Sequence, residues 1–430
     1  MAMNVQIVSR KLVKPCIPTP PNLRNYKIGF QDEVAPPMHV GTVLFFSFNR
    51  DNNQKFAARL EKSLEKTLAR LYPLAGRYVR EMLAVDCNDE GAEFIHSKAD
   101  LRLEDILNSQ WNGKLIDKLI PSIMPGAADQ MDVPILATQV NSLLCGAIAL
   151  GVSISHRIAD AATLSIFLKE WAALNREDDE AEFTGAGFSA PSFFPSHGVE
   201  GRKFSKDALS NLVTKKLSFS ESEISNMKAQ FVINEKGCTH HLSKVQIVSA
   251  IIWKTLVNVD RAIHSHPRDF VLIQVLNLRG RTASLIPKDS CGNLVVPFTT
   301  KSSNDETTKG LAYLLSKTLK EVLSNYSKMS HENKEGQSMV LKSWSESKFM
   351  IDSIPHAVLV SSWCKFPFYE VDFGFGKPMW VSTGCLPGNN AVILIDGMGG
   401  NGVDAYVCME LKDEPYLGEA LDMKAIGTLN

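Results

Sequence analysis

No two of the eight cysteines, at 16, 87, 145, 238, 291, 364, 385 and 408, stand in a C-x-x-C pair. That spacing offers no zinc ribbon and no dithiol redox motif, and it fits free thiols in a reducing compartment. Neither sign of charge is in excess: 46 Lys and Arg face 47 Asp and Glu, a formal net charge of −1. A nucleic acid or an anionic membrane is therefore a poor candidate for the main partner. No apolar run reaches the ~18 to 20 residues of a membrane-spanning helix. The opening stretch, MAMNVQIVSRKLVKPCIPTP, holds no long apolar segment of the secretory kind, so a cytoplasmic location is expected. Asn325-Tyr326-Ser327 matches a glycosylation sequon; without a leader it reads as a chance match.

Several catalytic signatures are missing as well. There is no G-x-S-x-G, no H-E-x-x-H and no Walker A motif, so the serine hydrolase elbow, zincin chemistry and the P-loop have no support. His240-His241 has no further ligands at metal spacing and reads as surface loop; no metal is expected. Gly397-Met398-Gly399-Gly400-Asn401-Gly402 fits G-x-G-x-x-G on paper and follows a strand. What comes next, VDAYVCMEL, alternates like a strand. A dinucleotide site needs a helix N-terminus there, with its free N–H groups for the pyrophosphate. The run reads instead as a glycine-rich hairpin turn.

What is present fits a globular chain with a sizeable core. A length of 430 residues exceeds what one core usually serves, which suggests two domains. Residues 40–48 read as a buried strand. Phe56, Leu60, Leu64, Leu68 and Leu71 recur every three or four positions, the apolar stripe of a helix that stops before Tyr72-Pro73. Residues 145–155 read as a strand of small and β-branched residues, and 161–174 as a helix. Residues 245–257 form an apolar helix or strand-helix, and 269–277 and 391–396 read as strands. Strands and helices alternate in both halves, which predicts two mixed α/β domains of similar size. Residues 176–205 are first acidic, then rich in Gly, Pro and Ser. The expected division is an N-terminal domain 1–178, a crossover linker 179–212 and a C-terminal domain 213–430.

Two motifs stand out against this frame. His156-Arg157-Ile158-Ala159-Asp160 lies at the turn between the 145–155 strand and the 161–174 helix. A side chain there is held rigidly and can still face a cleft. Taken alone, H-x-x-x-D also fits an ordinary polar turn. The second motif is Asp372-Phe373-Gly374-Phe375-Gly376, on the C-terminal half and preceded by Ser361-Ser362-Trp363-Cys364-Lys365. Its glycines read as turn residues among packed aromatics.

Together these residues resemble the BAHD acyltransferases of plant specialised metabolism, marked by H-x-x-x-D near mid-chain and D-F-G-W-G near the C-terminus. YPLAGR at 72–77, VDCNDEGAEF at 85–94, NLRGR at 277–281, GN at 292–293 and SSWCKFPFYEVDFGFGKP at 361–378 fall in family order. The resemblance spans the chain and is nearest to the alkaloid acetyltransferase branch. Phe375 departs from the usual Trp, and Asp404 stands where Glu is common.

The resemblance implies two chloramphenicol-acetyltransferase-like α/β domains, each a mixed sheet flanked by helices, with a solvent channel at their interface. It implies an acyl-CoA-dependent O-acyltransferase with His156 as general base. Acetyl-CoA would be the donor and a hydroxyl of an alkaloid or terpenoid the acceptor. An alcohol is a poor nucleophile at neutral pH, and a neutral imidazole can take its proton. The alternatives are an aromatic or longer-chain acyl donor, or an inactive acyl-CoA-binding relative. By the same resemblance Ser361 is the candidate oxyanion donor and Trp363 a channel wall. Asp160 would pair with Arg279 in a structural role, as would the motif residues Asp372, Gly374 and Gly376. Ser243, Lys244, Arg281 and Lys365 match or neighbour CoA-contacting stretches. A monomer with no tightly bound cofactor is expected, its partners being acyl-CoA and a small alcohol.

Overall fold

The computed structural model describes residues 3–47, 53–108, 110–121, 127–176, 187–199, 211–235, 238–264, 268, 270–303, 305–354 and 356–421. Most of the expected linker lies outside the described residues. The chain forms two compact units. Unit 1 comprises Met1–Lys206, Ile286–Leu294 and Phe366–Cys385; unit 2 comprises Asp207–Leu285, Val295–Lys365 and Leu386–Asn430. The units are thus not successive halves of the chain. The 372–376 motif, which chain position alone would give to the C-terminal half, packs in unit 1.

Unit 1 holds a six-stranded mixed sheet in the order Val5–Val13, Ala92–Ala99, Leu136–Leu143, Ile148–Ser155, His39–Phe46 and Trp380–Thr383. Only the pairing of Ala92–Ala99 with Leu136–Leu143 is parallel. Every residue of Ile148–Ser155 is buried, which explains its run of small and β-branched residues: a strand covered on both faces has no solvent side to alternate with. Gly151 is needed for close approach, since a Cβ there would meet the Leu119 carbonyl at 2.1 Å. The helix Asn53–Arg70 buries Phe56, Leu60, Leu64 and Leu68, and Leu71 behind it is fully buried. Two late segments complete the unit. Ser290–Cys291 pairs in parallel with Gly187–Phe188, and Trp380–Thr383 pairs with His39–Phe46, where Trp380 stacks on Phe45 at 5.1 Å between ring centres.

Unit 2 holds a second six-stranded mixed sheet, ordered Leu212–Phe219, Val403–Glu410, Ala391–Asp396, His356–Ser362, Phe270–Asn277 and Val295–Lys301. The three strands Ala391–Asp396, His356–Ser362 and Phe270–Asn277 run parallel. The 245–257 segment is part of one helix, Lys244–Ile263, opened by a capping box between Ser243 and Gln246. Its Ile247, Ile251 and Trp253 are buried in the unit's core. The glycine run 397–402 is a hairpin turn: Asp396 and Val403 pair directly, and Gly399, Gly400 and Gly402 take φ of +67°, +84° and +67°. No helix N-terminus follows them, so the dinucleotide reading fails for the reason the sequence suggested. No described helix is long and apolar enough to cross a membrane.

Candidate active site

His156 follows directly on the buried strand Ile148–Ser155 and opens the turn to the helix Ala161–Asn175. Its backbone is gripped from two sides. The His156 N–H donates to the Met38 carbonyl at 2.8 Å. The His156 carbonyl accepts from Asn293 Nδ2 at 2.7 Å. Asn293 is held in turn by Asp32, whose Oδ1 accepts from the Asn293 backbone N–H at 3.0 Å and from Nδ2 at 2.8 Å. Asp32 Oδ2 accepts from the Gly29 N–H at 2.9 Å. Asp32 is fully buried. Burial pushes its pKa up to about 6, against the three N–H groups that favour the carboxylate, and the charge of Asp160 adds to the rise.

The imidazole of His156 is half-buried, and its Nδ1 is shut off from solvent without a hydrogen bond. Its pKa lies below the ordinary value of 6.5. Burial is the main cause, and the negative charge of Asp160 opposes it. The ring is therefore neutral at physiological pH, as a general base requires.

Asp160 is the N-cap of the helix Ala161–Asn175. Its Oδ1 accepts from the Thr163 N–H at 2.8 Å and from Thr163 Oγ1 at 3.0 Å. Its Oδ2 accepts from the Leu294 N–H at 3.2 Å. Thr163 Oγ1 also accepts from the Gly292 N–H at 3.0 Å. The Gly292–Leu294 segment is thus stitched to the same turn from both Asp160 and Asn293.

Arg157, inside the motif, was given no role by the sequence. It is buried, and Nε and Nη2 make a bidentate pair with Asp129 at 2.6 and 2.9 Å. Nη1 donates to the carbonyls of Glu33 and Ala35, both at 2.8 Å. Those carbonyls lie just upstream of Met38, so the guanidinium fixes the strand of chain that receives the His156 N–H.

The 372–376 motif is a tight turn built on one carboxylate. Asp372 Oδ1 accepts from the N–H groups of Gly374 at 2.7 Å, Phe375 at 3.2 Å and Gly376 at 3.0 Å. Gly374 and Gly376 take φ of +90° and +98°, a region that favours glycine. The Phe373 ring is fully buried, edge-on to Trp171 at 5.2 Å. Its carbonyl accepts from Asn175 Nδ2 at 2.6 Å, and Arg176 donates to the Asp372 carbonyl. The motif therefore anchors the far end of the helix whose N-terminus is capped by Asp160. Phe375 lies half-buried with the edges of Phe46 and Phe56 at 4.8 and 4.4 Å. Phe375→Trp enlarges a ring that has only partial cover, so we expect a change in stability within the roughly 1 to 3 kcal/mol of a tight insertion, with turnover retained. Thermal melting and initial rates check this together; a dead but well-folded variant would give the motif a chemical role.

The remaining candidates lie in unit 2. Ser361 is near the end of the strand His356–Ser362, half-buried, and pairs with Ile393 across the sheet. Trp363 follows, buried, with its N–H on the Leu394 carbonyl at 2.7 Å. Asp396, which the sequence did not single out, draws two candidates together. Its Oδ1 faces Lys244 Nζ at 2.6 Å, and its Oδ2 accepts from the Lys365 N–H at 2.8 Å. Ser243 is next to Lys244, and its hydroxyl accepts the Gln246 N–H at 3.3 Å as helix cap. Lys365 takes φ of +70° and points its exposed side chain from a strained turn. Arg279 is buried, with Nη1 on Asn277 Oδ1 at 3.1 Å. Arg281 is exposed, with Nη1 on the Asn277 carbonyl at 2.9 Å. No group of metal-ligating side chains exists among the described residues.

Two mixed sheets flanked by helices, with a neutral imidazole fixed at a strand-to-helix turn, make up the frame of an acyltransferase. The family model described as the Transferase family matches residues 3–414, and the chain belongs to that family, the BAHD acyltransferases, which use acyl-CoA. It is 33% identical to the pelargonidin 3-O-(6-caffeoylglucoside) 5-O-(6-O-malonylglucoside) 4'''-malonyltransferase of Salvia splendens, covering 98% of this chain and 99% of the relative. It is 30% identical to the vinorine synthase of Rauvolfia serpentina, over 95% of each chain. The crystal structure of vinorine synthase matches at a TM-score of 0.83 and 28% identity over 99% of both chains. TRI101 of F. graminearum, solved with ethyl coenzyme A, shares the fold at a TM-score of 0.67 and 16% identity, covering 92% of this chain and 97% of that one.

Proposed function

We propose that this protein transfers acetyl from acetyl-CoA to a hydroxyl of a plant specialised metabolite, an alkaloid or terpenoid alcohol, in one ternary complex. His156 Nε2 takes the proton as the alcohol oxygen attacks the thioester carbon. The C–O bond forms, the tetrahedral intermediate collapses, the C–S bond breaks, and the imidazolium returns the proton to the CoA thiolate. The observation that carries this reading is the neutral His156 imidazole on a backbone gripped by Met38 and Asn293. Rigid placement of the base is what converts proximity into rate.

Ser361 is the proposed donor to the oxyanion and Trp363 a wall of the acceptor site. Ser243, Lys244, Arg281 and Lys365 are the proposed CoA contacts. Lys244 is already engaged by Asp396, so a phosphate there competes with a carboxylate and gains less than it would from a free cation. No tightly bound cofactor, a monomeric state and a cytoplasmic location complete the proposal.

Acetyl as donor is supported by relatives named for acetyl transfer, such as the stemmadenine O-acetyltransferase of Catharanthus roseus, 30% identical over 95% of each chain. The malonyltransferase relative favours a second reading, malonyl-CoA as donor. The test is to offer acetyl-, malonyl- and an aromatic acyl-CoA with a mixed alcohol library and to measure released CoA thiol with product mass. Acetyl-dependent release with an acetylated alcohol is the expected result. Release with malonyl-CoA alone would replace the donor, and CoA binding without release from any donor would leave an inactive relative.

The pH profile follows from the sign of the His156 shift. Its folded pKa is below 6.5, so the base stays unprotonated through neutrality. The kcat/KM profile is expected to fall on its acid side, with the midpoint of that limb below 6.5. An acid limb centred above 7 would mean that another group limits the reaction.

A further inference from the structure

A cavity of about 270 Å³ lies in the second unit, at the end of its sheet where the parallel strands Phe270–Asn277 and His356–Ser362 begin. Ser361 stands near the other end of the same sheet, roughly 16 Å along the strand from His356 at ~3.3 Å per residue. The cavity is therefore separate from the residues proposed for acyl transfer. It has room for a ligand of about ten non-hydrogen atoms. Val259, Ile263, Phe270 and Met409 give it an apolar wall.

Its polar side is unequally spent. Three carboxylates, Asp260, Glu410 and Asp413, line it with two cations, Arg268 and Lys412, a formal charge of −1 with histidines neutral. Arg268 is committed to Asp260, through Nε at 3.1 Å and through Nη2. Lys412 is committed to Glu410 at 2.6 Å. Asp413 is left without an ion-pair partner among the described residues. Burial, and then the Glu410 charge, push its carboxyl above the ordinary value, against the pull of Lys412. His356 adds no positive charge at neutral pH, since burial and the Arg268 guanidinium hold its pKa at about 4. The helix Lys244–Ile263 also ends here, and the C-terminal end of a helix favours a cation. A separate observation concerns Asn390, which lines the cavity and is only 8% exposed. Its carboxamide makes no hydrogen bond to a described residue. Buried amides are normally paired, so this one is left for a ligand.

We propose that this cavity is a second small-molecule site, which takes an organic ammonium with a short apolar body. Asp413 supplies the counter-charge, the Asn390 carboxamide oxygen accepts a hydrogen bond, and the apolar body covers the wall. The site is independent of His156 and of the acyl donor.

Phenethylammonium, phenylacetamide and phenylacetate share one ring and differ in charge, and each is titrated into the full-length protein at low salt and pH 7.5. The ammonium is expected to bind with a Kd on the order of 1 mM or below. Phenylacetamide should bind at least about fivefold more weakly, and phenylacetate more weakly still. Nitrogen-15 spectra of the protein labelled at histidine locate the site, with signals assigned by their absence in His356→Gln and His156→Ala. The ammonium should shift the His356 signal and leave that of His156 in place. Asp413→Asn should weaken the ammonium by roughly fivefold and leave phenylacetamide unchanged. Asn390→Gly suits the φ of +55° at that position and should weaken both. Equal binding of the three probes, or full affinity for the ammonium in a folded Asp413→Asn, overturns the proposal. A shift at His156 alone also overturns it, by placing the amine at the acyl-transfer residues. If a variant does not fold, the charge series and the wild-type histidine spectra still decide.

Discussion

His156→Ala is expected to lower acyl transfer by about 10²- to 10⁴-fold, with CoA affinity within a few-fold and a melting temperature close to wild type. The activity loss follows from removing the proposed base. The stability follows from what the variant keeps. Both anchors of residue 156 are backbone groups, the N–H on Met38 and the carbonyl under Asn293, and alanine preserves them. Truncation also relieves a buried, unsatisfied Nδ1, so the lost packing is partly offset. Isothermal titration with CoA, a melting curve and initial rates are the three measurements. Near-wild-type turnover in the variant would remove His156 from the chemistry.

Asp160→Ala should fail in the opposite order, with stability first and activity as a consequence. The change removes a helix cap, which costs about 0.5 to 2 kcal/mol. It also strands the buried Leu294 N–H, a further cost of roughly 1 to 3 kcal/mol. At ~2 to 4 °C per kcal/mol, the melting temperature should fall by roughly 3 to 20 °C. Asp160→Asn keeps an acceptor for Thr163 and should melt between the two. It also deletes the negative charge that props up the His156 pKa, so its acid limb should move to lower pH. An Asp160→Ala protein that melts like wild type but does not turn over would make Asp160 part of the proton path and defeat this assignment.

Local pattern carried a good part of this structure. The Phe56 to Leu71 stripe, the strand before His156 and the hairpin at 397–402 were readable because each answers to a period or a turn rule within a few residues. The grip on the His156 turn was not. Asp32 and Asn293 are 261 residues apart, and a single chain has no signal that pairs them, although the GN at 292–293 was visible as a landmark. Arg157 carries no burial signal in the sequence, because a charged side chain beside a turn usually faces water. It is buried here because Asp129 and two carbonyls satisfy its donors. Chain position also misled on 286–294 and 366–385, whose partners in the first unit are a short strand, a capping carboxylate and an edge of the sheet. Composition cannot report such long-range pairing.

The way Phe366–Cys385 returns to the first unit has a consequence for biosynthesis. A ribosome finishes Lys206 long before it reaches Asn293, and reaches Trp380 later still. At ~5 to 20 residues per second, the 179 residues between 206 and 385 take roughly 9 to 36 s to make. Through that interval the strand His39–Phe46 has one open edge, and Trp171 lacks the ring that will cover it. The nascent chain thus exposes an unpaired apolar sheet edge for many seconds, a natural station for a chaperone. Synonymous codons that slow the 207–365 stretch would lengthen that exposure and lower soluble yield without altering a single residue of the finished enzyme.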